Sequence, residues 1–248
     1  MKRLLFLTLI CALSAPVFAQ DERPEQAPNE SGFMFGLHYS DRGPGLNLAV
    51  LKGAPYRQWL FGLDIFLVKD SKETLIEPFF GEQGKRYVFG KLNHLFVVSP
   101  SLGVQWDMVP RSAVNLLNVR GNLKVGPAIG ILNPYHLEIF EASPGSPFVG
   151  TREILPYDPA NHSYSKIIGR ANFLSSRIDP TFRFGLSVQA NAILDFSSVD
   201  AAITGVNLGM KVDAFPSPVP IMADELQNVQ NQRIFVAISA GLMFGRRW

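Results

Sequence analysis

The strongest constraint on this chain is an alternation of period two that recurs along most of its length. In the segment Arg233 to Trp248, Ile234, Val236, Ile238, Ala240, Leu242 and Phe244 share one parity, and the chain closes on Trp248. The other parity carries Ala237, Ser239, Gly241, Gly245 and Arg247, with Phe235 and Met243 as larger members. Successive side chains of a strand point to opposite faces, so this is a strand with one apolar and one small or polar face. Thr181 to Phe196 shows the same division: Phe182, Phe184, Leu186 and Val188 lead one face, and Thr181, Arg183, Ser187 and Gln189 the other, broken only by Ile193. The pattern returns around Phe33–Tyr39, Leu46–Val50, Trp59–Leu67, Leu102–Met108, Leu117–Val125 and Ala202–Asp213.

Two architectures accept such strands. A soluble sandwich buries the apolar face in a shared core and wets the other, with strands of typically about 5–6 residues. A tilted transmembrane strand needs about 9–11 residues and turns its apolar face to lipid. The length of these segments and the Gly, Ser and Asn content of the polar face favour the membrane. The predicted fold is all-β: a transmembrane antiparallel up-and-down β-barrel of about ten strands, with a range of about eight to twelve. The count of ten places a tight turn at Val98 to Pro100 and two strands in Val114 to Phe140, broken near Gly126-Pro127. The long connections Lys69–Lys85, Glu141–Pro180 and Phe215–Gln232 fall on the side opposite the C-terminus, which is the outer side for a bacterial barrel.

The N-terminus agrees with export. Lys2 and Arg3 precede the apolar run Leu4 to Leu13, and Val17-Phe18-Ala19 offers a cleavage site, so residues 1–19 read as a signal peptide. Cys11 raises the alternative of a lipoprotein, but Ile10 stands where that signal needs a small residue. Residues 20–31 are acidic, Pro-bearing and poor in apolar groups and read as a disordered arm, leaving 32–248 as the barrel domain. Cys11 is the single cysteine, so the processed chain has no disulfide or thiolate chemistry. Of 23 basic and 21 acidic residues, removal of Lys2 and Arg3 leaves 21 of each, which argues against nucleic acid as a partner.

The polar parity collects Asp64, Lys91, Asp107, Arg120, Lys124, Arg183, Asp195, Lys211 and Asp213 as lumen candidates. They read either as a selectivity lining or proton path, or as a packed interior of paired charges. A barrel of about eight strands is only wide enough for side chains to fill it, and the two signs are balanced, so pairing is favoured. Phe244 and Trp248 are candidate assembly signals for the barrel-assembly machinery. The histidines have no zinc-motif spacing, and no metal or cofactor is expected. Asp158, His162 and Ser163 could suggest a hydrolase, and Tyr157 to Asn161 a calcium loop, but a turn accounts for both and no enzyme is expected. Ser165 to Ser176 reads as a short helix, serving as a lid over the mouth or packing against the rim.

The segments Lys69-Asp70-Ser71-Lys72-Glu73, Arg86 to Asn93, Gly126 to Gly130 and Asn133-Pro134-Tyr135, with the Gly-Arg-Arg-Trp end, resemble outer-membrane β-barrel proteins of the Bacteroidota. The resemblance implies a barrel in the bacterial outer membrane, surrounded by its lipid, and carries no activity with it. A small monomeric barrel is expected, structural or passing or binding a small solute; the alternative is a surface binding or adhesion protein acting through its long loops.

Overall fold

The computed structural model describes residues 30–54, 57–78, 85–109, 117–143, 146–172, 178–197, 202–223 and 230–248. Eight long strands among them close into one antiparallel barrel. They are β1 (Glu30–Ser40), β2 (Gly43–Ala54), β3 (Arg57–Val68), β6 (Asn93–Val109), β7 (Asn118–Pro134), β11 (Thr181–Asp195), β12 (Ala202–Ala214) and β13 (Ile234–Arg247). Each pairs with its predecessor in this series, and β1 closes on β13 with Phe35 opposite Phe244. Closure leaves no free edge, so every strand has a neighbour on both sides.

The parity read from the sequence holds around the wall. Trp59, Phe61, Leu123, Phe184, Leu208 and Ile238 are exposed, while Gln58, Asn122, Lys124, Gln189 and Asn207 are buried. A closed wall that is apolar outside and polar inside is a transmembrane barrel, since only closed barrels and helices satisfy all their backbone groups in lipid.

The strand number is eight, the lower end of the expected range, and two prolines explain the difference. β6 runs unbroken through Pro100 and β7 through Pro127. The ladder passes from Val98↔Ile129 to Leu102↔Val125, which puts Pro100 opposite Pro127. The two missing N–H donors therefore meet at one place, and each strand stays paired on its other side, Pro100 with Leu63 and Pro127 with Leu186. Neither proline ends a strand, so neither the turn near Val98 nor the break near Gly126-Pro127 exists. The arm also ends earlier than expected, because Glu30 already belongs to β1 and Ser31 exchanges both backbone hydrogen bonds with Trp248. The expected signal peptide and most of the arm lie outside the described residues.

The chain ends share one rim with the connections β2–β3, β6–β7 and β11–β12. The opposite rim bears the long connections. One of these folds into its own sheet of β8 (His136–Ser143), β9 (Ser146–Pro156) and β10 (Ile167–Arg170), and another contains the short pair β4 (Leu75–Ile76) and β5 (Tyr87–Val88). Tyr87, Tyr135, Leu137, Ile139, Tyr157 and Ile167 form a core of their own there. Of the helix expected over Ser165 to Ser176, the described part is a 3-10 turn at Tyr164–Lys166 followed by Ile167 pairing with Ile139, where β-branched side chains pack well, and residues 173–176 lie outside the described residues.

Val188 sits midway along β11, outward between Val125 and Val212, while Phe182 lies outward near its loop end. The membrane reading predicts a depth gradient. Val188→Arg should destabilise the barrel by about 2–4 kcal/mol and Phe182→Arg by only about 0–1 kcal/mol in a reversible folding assay in lipid vesicles. Equal costs at the two positions would contradict a lipid-facing β11.

Candidate functional site

The closed barrel encloses a lumen, and its inward residues fall into layers. At the rim with the chain ends, Met34, Leu51, Leu60, Ile193, Ile203 and Met243 pack into an apolar layer. At the loop rim a second layer joins Phe66, Leu95, Val97, Ala128, Leu132 and Phe235 to loop residues Phe215, Val219, Ile221 and Met222. The large apolar residues that interrupt the polar parity, Leu60, Phe66, Ile193, Phe235 and Met243, thus belong to the two plugs. Gly45 stands opposite Phe66, and a Cβ there would lie 2.4 Å from its ring, so the glycine makes room for the outer plug.

The outer plug is anchored by the proline-bearing connection. Phe215 meets Phe235 edge-on at 6.0 Å. The Leu92 N–H donates to the Ile221 carbonyl at 2.8 Å, the Ala223 N–H to the Gly90 carbonyl at 2.7 Å, and the Asn93 side-chain amide to the Pro220 carbonyl at 2.7 Å. Gly90 has φ +80°, a conformation that favours glycine, and it turns the chain from β5 toward β6.

Between the plugs lies a polar band. Lys124 donates to both carboxylate oxygens of Asp64 at 2.8 Å, and Asp64 also accepts from Asn47 at 2.7 Å. Lys211 pairs with Asp213 at 3.1 Å, donates to Ser99 at 3.2 Å and lies 4.7 Å above the Phe66 ring. Cross-strand amides join Asn191 to Asn122 at 2.6 Å and Gln105 to Gln58 at 3.3 Å. At the rim with the chain ends, Arg120 pairs with Asp107 at 3.0 Å, and Arg247 pairs with Asp195, which also accepts from the Ser197 hydroxyl at 2.7 Å.

Seven of the nine lumen candidates are therefore interior and paired: Asp64, Asp107, Arg120, Lys124, Asp195, Lys211 and Asp213. Arg183 is on the inward parity near the loop end of β11 and only half-buried. Lys91 is not a lumen residue. It precedes β6, lies buried among the loops, pairs with Glu73 at 2.6 Å and sits 5.8 Å from the Tyr135 ring centroid. Burial holds its ammonium below the usual lysine range, against the pull of Glu73. Glu73 carries no parity signal in the sequence because it lies in a connection, whereas Arg247 carries the inward parity of β13. Phe244 and Trp248 are both exposed on the outer wall.

The other candidates resolve as turns. The Asp158 carboxylate accepts from the Ala160 N–H at 3.0 Å and the Asn161 amide at 2.7 Å, and these bonds hold it below its ordinary value. His162 Nδ1 accepts the Asp158 N–H at 3.0 Å, and the Ser163 hydroxyl meets that of Ser165 at 3.2 Å. His162 through Nδ1 and Ser163 through its hydroxyl are thus each bonded within this turn. Among the described residues no cluster of three or more His, Cys, Asp or Glu side chains could hold a metal.

The central pair yields a direct test. Asp64→Leu leaves the Lys124 charge buried without its partner and should cost about 3–5 kcal/mol. Asp64→Leu with Lys124→Met replaces both charges by apolar groups and should recover most of that loss in the same vesicle unfolding assay. A double variant as unstable as the single one would show that the pair is not what organises the middle of the lumen.

No family model matches the chain, and no curated protein matches it by sequence. Solved structures do share its outline. The N-terminal β-barrel domain of Pseudomonas aeruginosa OprF is 8% identical, with a TM-score of 0.39 over 90% of this chain and 100% of that one. Neisserial surface protein A is 7% identical, with a TM-score of 0.34 over 88% and 94%. Ail, the attachment invasion locus protein of Yersinia pestis, in a structure with the heparin analogue sucrose octasulfate, is 9% identical, with a TM-score of 0.39 over 90% and 100%.

Proposed function

We propose that this chain is a closed structural barrel of the bacterial outer membrane that holds an ordered loop domain at the cell surface. The observation that carries the reading is the lumen: apolar layers near both ends and paired charges between them leave the interior filled. The signal-like N-terminus supports export, and the long connections on the rim away from the chain ends support a surface-facing loop domain. The motifs shared with Bacteroidota barrels suggest the source. A second reading, surface binding, is favoured by the β8–β9–β10 sheet, which has a core of its own and is more than a set of loose loops.

In planar bilayers the purified protein should show no steady ion conductance. A stable open level in most insertions would contradict the closed lumen and favour passage of a solute. The barrel is proposed to act as a monomer, a reading supported by the closed sheet, which presents no free barrel edge to a second copy. Trp248 is proposed to act in assembly with the barrel-assembly machinery, since its indole is 69% exposed and contributes little packing. Deleting Trp248 should lower the amount of inserted protein several-fold in cells; unchanged insertion would remove the residue from that role.

A further inference from the structure

The lipid-facing stripe on β6 and β7 does not simply end at the loop rim. Its outward cross-strand pairs run Val98↔Ile129, Phe96↔Ile131 and then His94↔Asn133, where the stripe turns polar. At that level the loop domain folds over the outside of the wall. Its segment Arg170 to Asn172 and the start of β8 enclose, with His94 and Asn133, a cleft of about 210 Å³.

The cleft is built, and it is cationic. The Ala171 N–H donates to the His136 carbonyl and the Arg170 N–H to the Lys85 carbonyl, both at 3.2 Å, which fixes the covering segment. Lys85 reaches Asn172 at 2.5 Å. The His94 ring packs edge-on against Tyr135 at 5.2 Å. Lys91, Arg170 and Lys69 lie close enough to act on His94 by their charge. The Arg170 side chain is exposed and makes no ion pair among the described residues. Asn133 is 4% exposed, yet its side-chain oxygen has no hydrogen-bond partner there. Rotating the amide offers an N–H₂ donor at the same place. The Nδ1 of His136 donates to the Pro134 carbonyl at 3.0 Å, which leaves Nε2 as the uncommitted ring atom.

We infer that this cleft is a binding site for a phosphate group, placed so that a phosphorylated lipid can seat its headgroup there while its chains follow Phe96 and Val98. Arg170 supplies the planar fork that matches a phosphate, the rotated Asn133 amide supplies a neutral donor at the floor, and the bare Nε2 of His136 can accept from a phosphate hydroxyl. The volume admits a phosphate with its first waters and excludes a nucleotide or an oligosaccharide. An apolar stripe that runs directly into a cationic cleft favours an amphiphile over a free ion, although the headgroup chemistry is the same for both.

The protein has four histidines, and two of them, His38 in the lumen and His162 in the Asp158 turn, lie away from the cleft. Histidine ring signals in the full processed chain, labelled and held in detergent, therefore report the site with internal controls. Titration with inorganic phosphate should move the His94 and His136 signals and leave His38 and His162 in place. Arg170→Gln should weaken the apparent affinity roughly ten-fold, as loss of one charge-assisted contact implies. Arg152→Gln, on the distant β9, should leave it unchanged. Unmoved His38 and His162 signals in Arg170→Gln establish that the variant is folded. In nanodiscs of phosphatidylcholine, added phosphatidic acid should move the same two signals and compete with inorganic phosphate, which identifies the lipid source. A response to inorganic phosphate alone keeps the site and overturns the lipid. No response to either probe, or equal weakening by Arg152→Gln, overturns the site. The detergent measurements do not depend on the membrane reading, so their failure is separable from a failure of that reading.

Discussion

Everything in this structure follows from closing a two-faced sheet on itself. Once eight strands form a ring, every second side chain is committed to an interior just wide enough to be filled by side chains. The inward face cannot be uniformly polar and open at this size. Each charge placed there must meet a partner within reach, because an isolated buried ion costs several kcal/mol. Lys124 with Asp64 and Lys211 with Asp213 are the outcome, and the two apolar layers keep bulk water away from them. The interior is better described as a sealed, side-chain-filled core than as a pore.

The loop domain answers the same constraint from outside. A barrel mouth left bare would expose Phe66, Leu95, Val97 and Phe235 to solvent. The Phe215–Ala223 connection covers them, and its prolines suit a segment that packs by side chains while its few N–H groups bond to Gly90, ahead of β6, and to its own return at Asn231, Gln232 and Arg233. Beyond that cover, Tyr87, Tyr135 and Tyr157 bury enough surface to give the surface sheet an independent core; burial pushes the Tyr157 phenol up to about 12. Such order at the membrane surface is what makes a shaped cleft possible at His94 and Asn133.

Much of the wall was legible in the sequence because period two is a direct record of which medium each residue meets. The outward and inward sets on β11 and β13 are those the alternation predicts, and a one-residue slip would have exchanged them all. Strand number was less legible. Pro100 and Pro127 look like punctuation singly, and only the register shows that they face each other and share one gap. The lumen charges were legible by parity, but their partners were not, since Asp64 meets Lys124 across 60 residues of sequence. Lys91 and Glu73 were opaque for a different reason: connections have no periodicity to say which way a side chain faces. The apolar residues on the polar face carried information that read as noise, since their role as plugs depends on their meeting at common levels of a closed ring.

The sealed lumen is the central claim, and thiol access tests it most directly. The expected processed chain has no cysteine, so single cysteines can be introduced at will. Ser99→Cys lies in the polar band and Arg152→Cys on the exposed surface strand. In intact vesicles a small charged thiol reagent should modify the cysteine at 152 rapidly and the one at 99 at least a hundred-fold more slowly, until the protein is unfolded. Comparable rates at the two positions would show a lumen open to solvent and would contradict the account.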